Sequence, residues 1–228
     1  MERFGSYRSN AEKTMNNEYL TFLGYSPLDD LRWRATSGGV CSGIIKYMLD
    51  TEKARTALSF TFNQETLRYE PQLIHGSSDY LIASSIYHEV KIIDYVKLHI
   101  QEIQEPFVCT ALPCQVRPLK VILSQNHIEH YIISLVCSSQ QSFAATEYLF
   151  SRLGLQVSEV KRIQYRGNGW PSGIQIETME GKTIHIPNLD SVWTRIFHSR
   201  LFCMDRCFFC NPDIELYWSL FEKSFRRS

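Results

Sequence analysis

The pattern of apolar and polar positions predicts strands alternating with helices over most of the chain. Apolar residues recur at helical spacing over residues 40–49 and alternate with polar ones over residues 57–62, which predicts a helix followed by a strand. Continuous apolar runs at 107–110 and 131–136 are typical of buried strands. Further helices are predicted at 85–98, 116–123 and 143–153. This order indicates α/β organisation.

The C-terminal third has a different pattern. Ile174 and Ile176 precede the tight-turn residues Glu180-Gly181, and Ile184 and Ile186 follow them, which predicts an antiparallel hairpin. The fold class expected for the whole chain is therefore α/β to α+β: a mixed sheet with flanking helices and a C-terminal antiparallel hairpin region.

Length and charge narrow the classes of protein that fit. The 228 residues suffice for one large domain or two small ones, and 24 Lys and Arg balance 24 Asp and Glu. This balance provides no long-range field that would attract nucleic acid or an anionic membrane. The longest apolar run, 131–137, is too short to cross a bilayer. We expect a cytoplasmic protein that neither inserts into membranes nor binds nucleic acid.

Seven cysteines provide the most specific candidate chemistry. In a cytoplasmic protein an odd number of cysteines indicates core residues, metal ligands or redox groups rather than a disulfide framework. The spacing Cys203-x3-Cys207-x2-Cys210 allows neighbouring thiolates to meet at one metal ion or cluster. Cys114 and Cys137 follow predicted strands, where α/β sheets carry ligands. The alternative is that the cysteines are small buried apolar side chains.

Two glycine-containing loops are further candidates. Ser37-Gly38-Gly39 precedes a predicted helix and could present backbone N–H groups to a phosphate, or form a plain turn with an N-cap. The loop at 166–173 contains Arg166, Trp170, three glycines and a proline. It could hold a guanidinium and an aromatic plane against a flavin ring or a phosphate, or serve as a long hairpin connection.

Six short motifs, taken together and in order, resemble one known family. They are Ser37-Gly38-Gly39-Val40, Ser78-Asp79-Tyr80, Pro113-Cys114-Gln115, Leu135-Val136-Cys137, Tyr165-Arg166-Gly167-Asn168-Gly169-Trp170-Pro171 and Arg206-Cys207-Phe208-Phe209-Cys210. The chain resembles the coenzyme F-420 hydrogenase/dehydrogenase beta subunit family over about residues 34–213. The resemblance implies an oxidoreductase that passes hydride and electrons between a deazaflavin (coenzyme F-420) or similar donor, FAD and a 4Fe-4S cluster.

The resemblance also implies site residues and partners. It assigns the cluster to Cys114, Cys137, Cys207 and Cys210, with Cys203 as an alternative ligand. The residues that would border the cofactors are Ser37, Gly38, Gly39, Ser78, Tyr80, Arg166 and Trp170. A separate ferredoxin-like or other redox protein would exchange electrons with the chain. Relatives also occur beside polysaccharide-biosynthesis functions.

The same resemblance divides the chain into three parts. These are a polar lead-in at 1–33, the family-like domain at 34–213 and a divergent or truncated tail at 214–228.

Departures from the family pattern support an alternative function. Asp79 stands where the family commonly has lysine, and a carboxylate there would repel a cofactor that carries phosphate. A degenerate, non-enzymatic accessory or binding protein of the same fold is therefore the alternative. Its cysteines could hold structural zinc, because four thiolates suit zinc as well as an iron–sulfur cluster. A radical S-adenosylmethionine enzyme is disfavoured, because its cysteine triad normally precedes a barrel of about 200 residues.

Overall fold

The computed structural model describes residues 22–169 and 172–210. Its helices are α1 (Asp29–Arg34), α2 (Val40–Asp50), α3 (Ile92–Leu98), α4 (Pro113–Gln125), α5 (Ala144–Arg152), α6 (Val192–Ser199) and α7 (Asp205–Phe208). Its strands are β1 (Thr56–Asn63), β2 (Arg68–Ile74), β3 (Phe107–Ala111), β4 (His130–Ser134), β5 (Val160–Gln164), β6 (Gly173–Thr178) and β7 (Thr183–Pro187). Within the described ranges, no helix is long and apolar enough to span a membrane.

Some expectations concern residues outside these ranges. Trp170, most of the polar lead-in and the tail at 214–228 lie outside the described residues. The three-part division of the chain therefore stays a prediction.

The first sheet is mixed, with strand order β2-β1-β3-β4. β1 and β2 form an antiparallel hairpin, whereas β1, β3 and β4 run parallel. The register pairs Phe107 with His130 at one end of β3 and β4, and Ala111 with Ser134 at the other. Because both strands end level, the residues that follow them leave the same edge of the sheet side by side.

Both faces of this sheet are covered by helices. Ala57 and Val108 point to one face and pack with Ile45 of α2. Their chain neighbours Leu58 and Cys109 point to the other face and pack with α3 and α4. Alternate residues of a strand face opposite sides, so burial of both sides explains why these strands read as continuous apolar runs.

The second sheet is antiparallel, with order β5-β6-β7. Ile174 pairs with Ile186 and Ile176 pairs with Ile184, as the alternation predicts. Its buried face packs with aromatic residues from α6 and the segment after β5, which include Trp193. Together the two sheets confirm the expected fold class of a mixed sheet with flanking helices and a C-terminal antiparallel hairpin region.

The segment before α3 differs from the prediction, since the helix expected at 85–98 begins only at Ile92. Residues around His88 are irregular, and the backbone of His88 forms a bridge to Gln141. The His88 ring is 1% exposed, accepts a hydrogen bond from the Tyr69 N–H (2.9 Å) and contacts the Glu89 carbonyl through Nδ1 (2.9 Å). The hydrogen bond from Tyr69 and the bridge to Gln141 are tertiary contacts, and they override the local helical pattern.

We predict that the burial of His88 makes the stability of the protein depend on pH. Burial lowers the pKa of His88, so the unfolded chain takes up a proton at a higher pH than the native one. Stability from neutral His88 is complete above the unfolded pKa of roughly 6.5 and is lost as the pH falls towards the lower native pKa. Urea unfolding should therefore show a smaller free energy of unfolding at pH 5.5 than at pH 8.

A matched pair of variants isolates this residue. His88→Gln should reduce the loss of stability between pH 8 and pH 5.5, whereas His198→Gln, at an exposed position, should keep the wild-type loss. An unchanged pH dependence in His88→Gln would contradict the assignment.

Candidate functional site

A cleft with a cavity volume of about 410 Å³ lies at the carboxyl ends of β3 and β4. Ala111 and Leu135 form its floor, and residues from the start of α2 and from the segment 80–88 form its walls. Ligands of open α/β sheets bind outside the carboxyl ends of parallel strands. The volume falls within the range of about 300–1,000 Å³ that is typical of small-molecule sites.

Four of the seven residues predicted to border the cofactors line this cleft: Ser37, Gly39, Tyr80 and Arg166. Gly38 and Ser78 are not among its lining residues. Ser78 is exposed, and its hydroxyl contacts the Asp79 carboxylate at 3.3 Å. The structure thus brings the two glycine-containing motifs together at the cleft, although they are far apart in sequence. The side chain of Ser78 does not line the cleft.

Tyr80 faces the start of α2 from across the cleft. Its phenol lies 3.5 Å from the Ser42 hydroxyl. Burial raises the pKa of Tyr80, so the phenol keeps its proton at neutral pH and remains a hydrogen-bond donor.

The Ser37-Gly38-Gly39 turn starts α2. Gly39, the N-cap residue, has φ 72° and no side chain to satisfy the first N–H groups of the helix. Val40, Cys41 and Ser42 follow it and line the cleft. This N-terminus therefore lines the cavity without a side-chain cap and with the positive end of the helix dipole.

The structure explains why the loop at 166–173 contains glycine. Gly167 has φ 119°, and a Cβ there would lie 2.7 Å from the Arg34 carbonyl oxygen. The N–H of Gly169 donates to the Trp33 carbonyl at 2.9 Å. The loop therefore docks on the end of α1, and this docking holds the buried Arg166 in the cleft.

The four cysteines predicted as ligands line a second, smaller cavity: Cys114, Cys137, Cys207 and Cys210. Cys114 lies in the first turn of α4, Cys137 follows β4, and Cys207 lies in α7. Cys203 is buried and is not among the lining residues of this cavity. Three separate parts of the chain thus converge on one place.

The electrostatics of this cavity oppose free thiolates. Burial, together with like-charge repulsion from the neighbouring cysteines, raises the pKa of Cys137 to about 11. Burial also raises the pKa of Cys114, while the Arg206 guanidinium acts in the opposite direction. A set of thiols that repel one another when ionised requires a cation to compensate them, and a thiophilic metal or an iron–sulfur cluster provides one.

The thiols share a cavity without forming a finished coordination sphere. Within residues 22–169 and 172–210, no group of three or more His, Cys, Asp or Glu side chains has an arrangement that could hold a metal ion. The donor set therefore fits a tetrathiolate centre in residue type and location, and the side chains would have to turn towards the metal to bind it.

The two cavities share a wall. Leu112 and the segment 137–140 line both of them. Gln140, 8% exposed, was not predicted as a site residue, although a run of polar residues directly after a buried strand could have indicated it. Its backbone N–H lies 3.5 Å from the Cys207 sulfur. The cleft and the cysteine cavity are therefore adjacent halves of one site.

Comparison with known proteins relates part of this chain to one family. Residues 105–215 match the family model that describes the C-terminal part of the beta subunit of coenzyme F-420 hydrogenase/dehydrogenase. That segment includes Cys114, Cys137, Cys207 and Cys210. The resemblance to this family that the sequence motifs predict is therefore confirmed over residues 105–215. No curated protein matches the chain.

A solved structure supports the fold. A chain of the F-420-reducing NiFe hydrogenase complex from Methanosarcina barkeri, determined as a xenon derivative, matches with a TM-score of 0.58 at 14% sequence identity. The match covers 82% of this chain and 63% of the hydrogenase chain. This chain therefore spans less than two thirds of the solved chain that it resembles.

We predict that substitution by alanine lowers the free energy of unfolding more at Gly167 than at Gly154. A Cβ at Gly167 would contact the Arg34 carbonyl oxygen, whereas at Gly154 (φ 72°) nothing lies within 4 Å. Gly154→Ala should cost about 1 kcal/mol for the left-handed backbone alone. Gly167→Ala should cost at least about 2 kcal/mol, because it adds steric overlap with backbone. Equal losses in chemical denaturation would contradict the docking of this loop on α1.

Proposed function

We propose that this chain is a redox protein that passes hydride and electrons between a deazaflavin (coenzyme F-420) or a similar donor, FAD and a 4Fe-4S cluster. The observation that carries this proposal is that the cleft and the four-cysteine cavity share the wall formed by Leu112 and residues 137–140.

The cleft has the features that a flavin nucleotide requires. The uncapped N-terminus of α2 suits a pyrophosphate group, and Arg166 adds a positive charge in the same cleft. Tyr80 offers a phenol donor, and apolar side chains such as Leu135 offer a surface for a ring system. Asp79 is exposed and is not among the lining residues, so its carboxylate does not oppose phosphate binding within the cleft.

The cysteine cavity has the donors that an iron–sulfur cluster requires. Four cysteine thiolates are the usual ligands of a 4Fe-4S cluster, and Cys114, Cys137, Cys207 and Cys210 supply that number. Cys203, outside the cavity lining, would not be needed as a ligand.

The shared wall of the two cavities suits electron transfer between a flavin in the cleft and a cluster at the cysteines. A bound flavin accepts hydride as an electron pair and releases single electrons, which a cluster carries one at a time. The chain itself would orient the flavin through Ser37, Tyr80 and Arg166, and would separate the two centres by the thickness of the loop 137–140. A separate redox protein would exchange electrons at the cysteine side.

A second candidate is an accessory protein of the same fold with structural zinc. It rests on the four thiols of the cysteine cavity alone and needs no ligand in the cleft. Zinc takes four thiolates in a tetrahedron, so the same cysteines would serve. The two candidates differ in colour, since zinc has no visible absorption.

We predict that anaerobically purified protein contains flavin and about four irons per chain, as a 4Fe-4S cluster does. The measurement is an ultraviolet-visible spectrum, with iron, zinc and flavin quantified on the same sample. A colourless protein that stays free of iron and flavin after reconstitution would contradict the redox function, and one zinc per chain would establish the accessory alternative.

We predict that Cys207→Ser combined with Cys210→Ser removes the iron but leaves the fold intact. Cys210 is exposed and Cys207 half-buried, so serine at these positions disturbs little of the core. The control is Cys109→Ala, in β3 and outside both cavities, which should keep its iron. Unchanged iron in the double variant would disprove the ligand assignment.

A further inference from the structure

Arg206 connects two of the three parts of the chain that carry the cysteines. It lies in α7 between Asp205 and Cys207, and it lines the cavity formed by the four thiols. Its guanidinium donates a hydrogen bond to the side-chain oxygen of Gln140, in the loop after β4. Within the described part of the chain, this hydrogen bond is a direct side-chain link between that loop and α7.

Gln140 is held in place by several other hydrogen bonds. Its carbonyl accepts from the Met204 N–H at 2.9 Å, and its amide group donates to the His88 carbonyl at 3.4 Å. Its own N–H points to the Cys207 sulfur at 3.5 Å. Because Gln140 is 8% exposed and fixed on three sides, a side chain bound to it is positioned as well.

The positive charge of Arg206 would be favourable beside the four cysteines. Four thiolates around a metal or a cluster give a centre with net negative charge, which a nearby guanidinium stabilises. Arg200 is the other cation at α7, and its guanidinium donates to the Cys207 carbonyl at 3.2 Å. The carboxylate of the exposed Asp205 is the opposing charge on the same helix.

We infer that Arg206 is a positioning residue of the cysteine site: through Gln140 it holds the loop 137–140 against α7, and its charge stabilises a thiolate-bound metal centre. This inference rests on the cysteine site of the proposed function, and it assigns a role to a residue that would not itself be a ligand.

The first test measures metal affinity with Co²⁺, whose thiolate complexes are coloured. Anaerobic, reduced, metal-free protein is titrated for wild type, Arg206→Gln, Arg206→Lys and the control Arg195→Gln, which removes an exposed cation from α6. Loss of a residue that supports metal ligands typically weakens binding 10–100-fold. Arg206→Gln should show a loss of this size, Arg206→Lys a smaller one and Arg195→Gln none.

The second test separates charge from packing. In protein reconstituted with iron and sulfide, Arg206→Gln should lower the reduction potential of the cluster, because reduction adds negative charge next to the missing cation. Arg206→Lys, which keeps the charge, should retain a potential near the wild-type value. Thermal unfolding of each variant confirms that the fold persists, as expected for a side chain at an exposed position.

The outcomes distinguish this inference from the proposed function. Wild-type affinity and potential in Arg206→Gln would overturn the inference alone. A potential in Arg206→Lys as low as in Arg206→Gln would overturn the charge effect. Wild-type protein that binds neither Co²⁺ nor a cluster would overturn the cysteine site together with the inference.

Discussion

The parallel pairing of β3 with β4 is the constraint on which the site depends. The register ends both strands level, at Ala111 and Ser134, and the chain then leaves the same edge of the sheet twice. The first exit leads into α4 and carries Cys114. The second leads into the loop with Cys137 and Gln140. A shift of this register by one residue would invert the side chains of a strand and displace the two exits relative to each other.

This common edge explains why one site can have two different halves. Towards α2 the edge opens into the cleft, which is lined by the uncapped start of that helix, the Tyr80 phenol and Arg166. Towards α7 it closes on the thiols, where burial and the neighbouring cysteines raise the pKa values of Cys114 and Cys137, so that metal binding there would release protons. The loop 137–140 belongs to both halves, so any change in its position affects both environments. Gln140 lies in this loop and Arg206 is hydrogen-bonded to it, which is why we infer a positioning role for Arg206.

Hydrophobic periodicity predicted those helices and strands whose apolar positions are the ones that the folded chain buries. The strands β3 and β4 read as apolar runs because both faces of the sheet are covered, and the isoleucine register of β6 and β7 follows from alternation. The helix expected at 85–98 is absent before Ile92, because the buried His88 ring accepts a hydrogen bond from the distant Tyr69 N–H and this contact outweighs local preference. A pairing between His88 and Gln141 leaves no trace in either local sequence.

Some residues of the candidate site could likewise be predicted from the sequence, and others could not. The motifs of the resemblance named four cysteines that line one cavity, and Ser37, Gly39, Tyr80 and Arg166, which line the cleft. Their roles as ligands and cofactor contacts stay predictions. Sequence could not distinguish Ser78, which is exposed, from Tyr80, which faces the cavity. It also gave no reason to connect Arg206 with Gln140, since only the folded chain brings these residues together.

The measurement that tests this account most directly is anomalous X-ray diffraction from crystals of anaerobically purified protein, recorded at the iron and zinc absorption edges. The account predicts iron between the sulfurs of Cys114, Cys137, Cys207 and Cys210, at sulfur distances of about 2.3 Å as in metal–thiolate centres, next to flavin density in the adjoining cleft. A signal at the zinc edge alone, a metal bound elsewhere, or cysteines without a metal after reconstitution would contradict it.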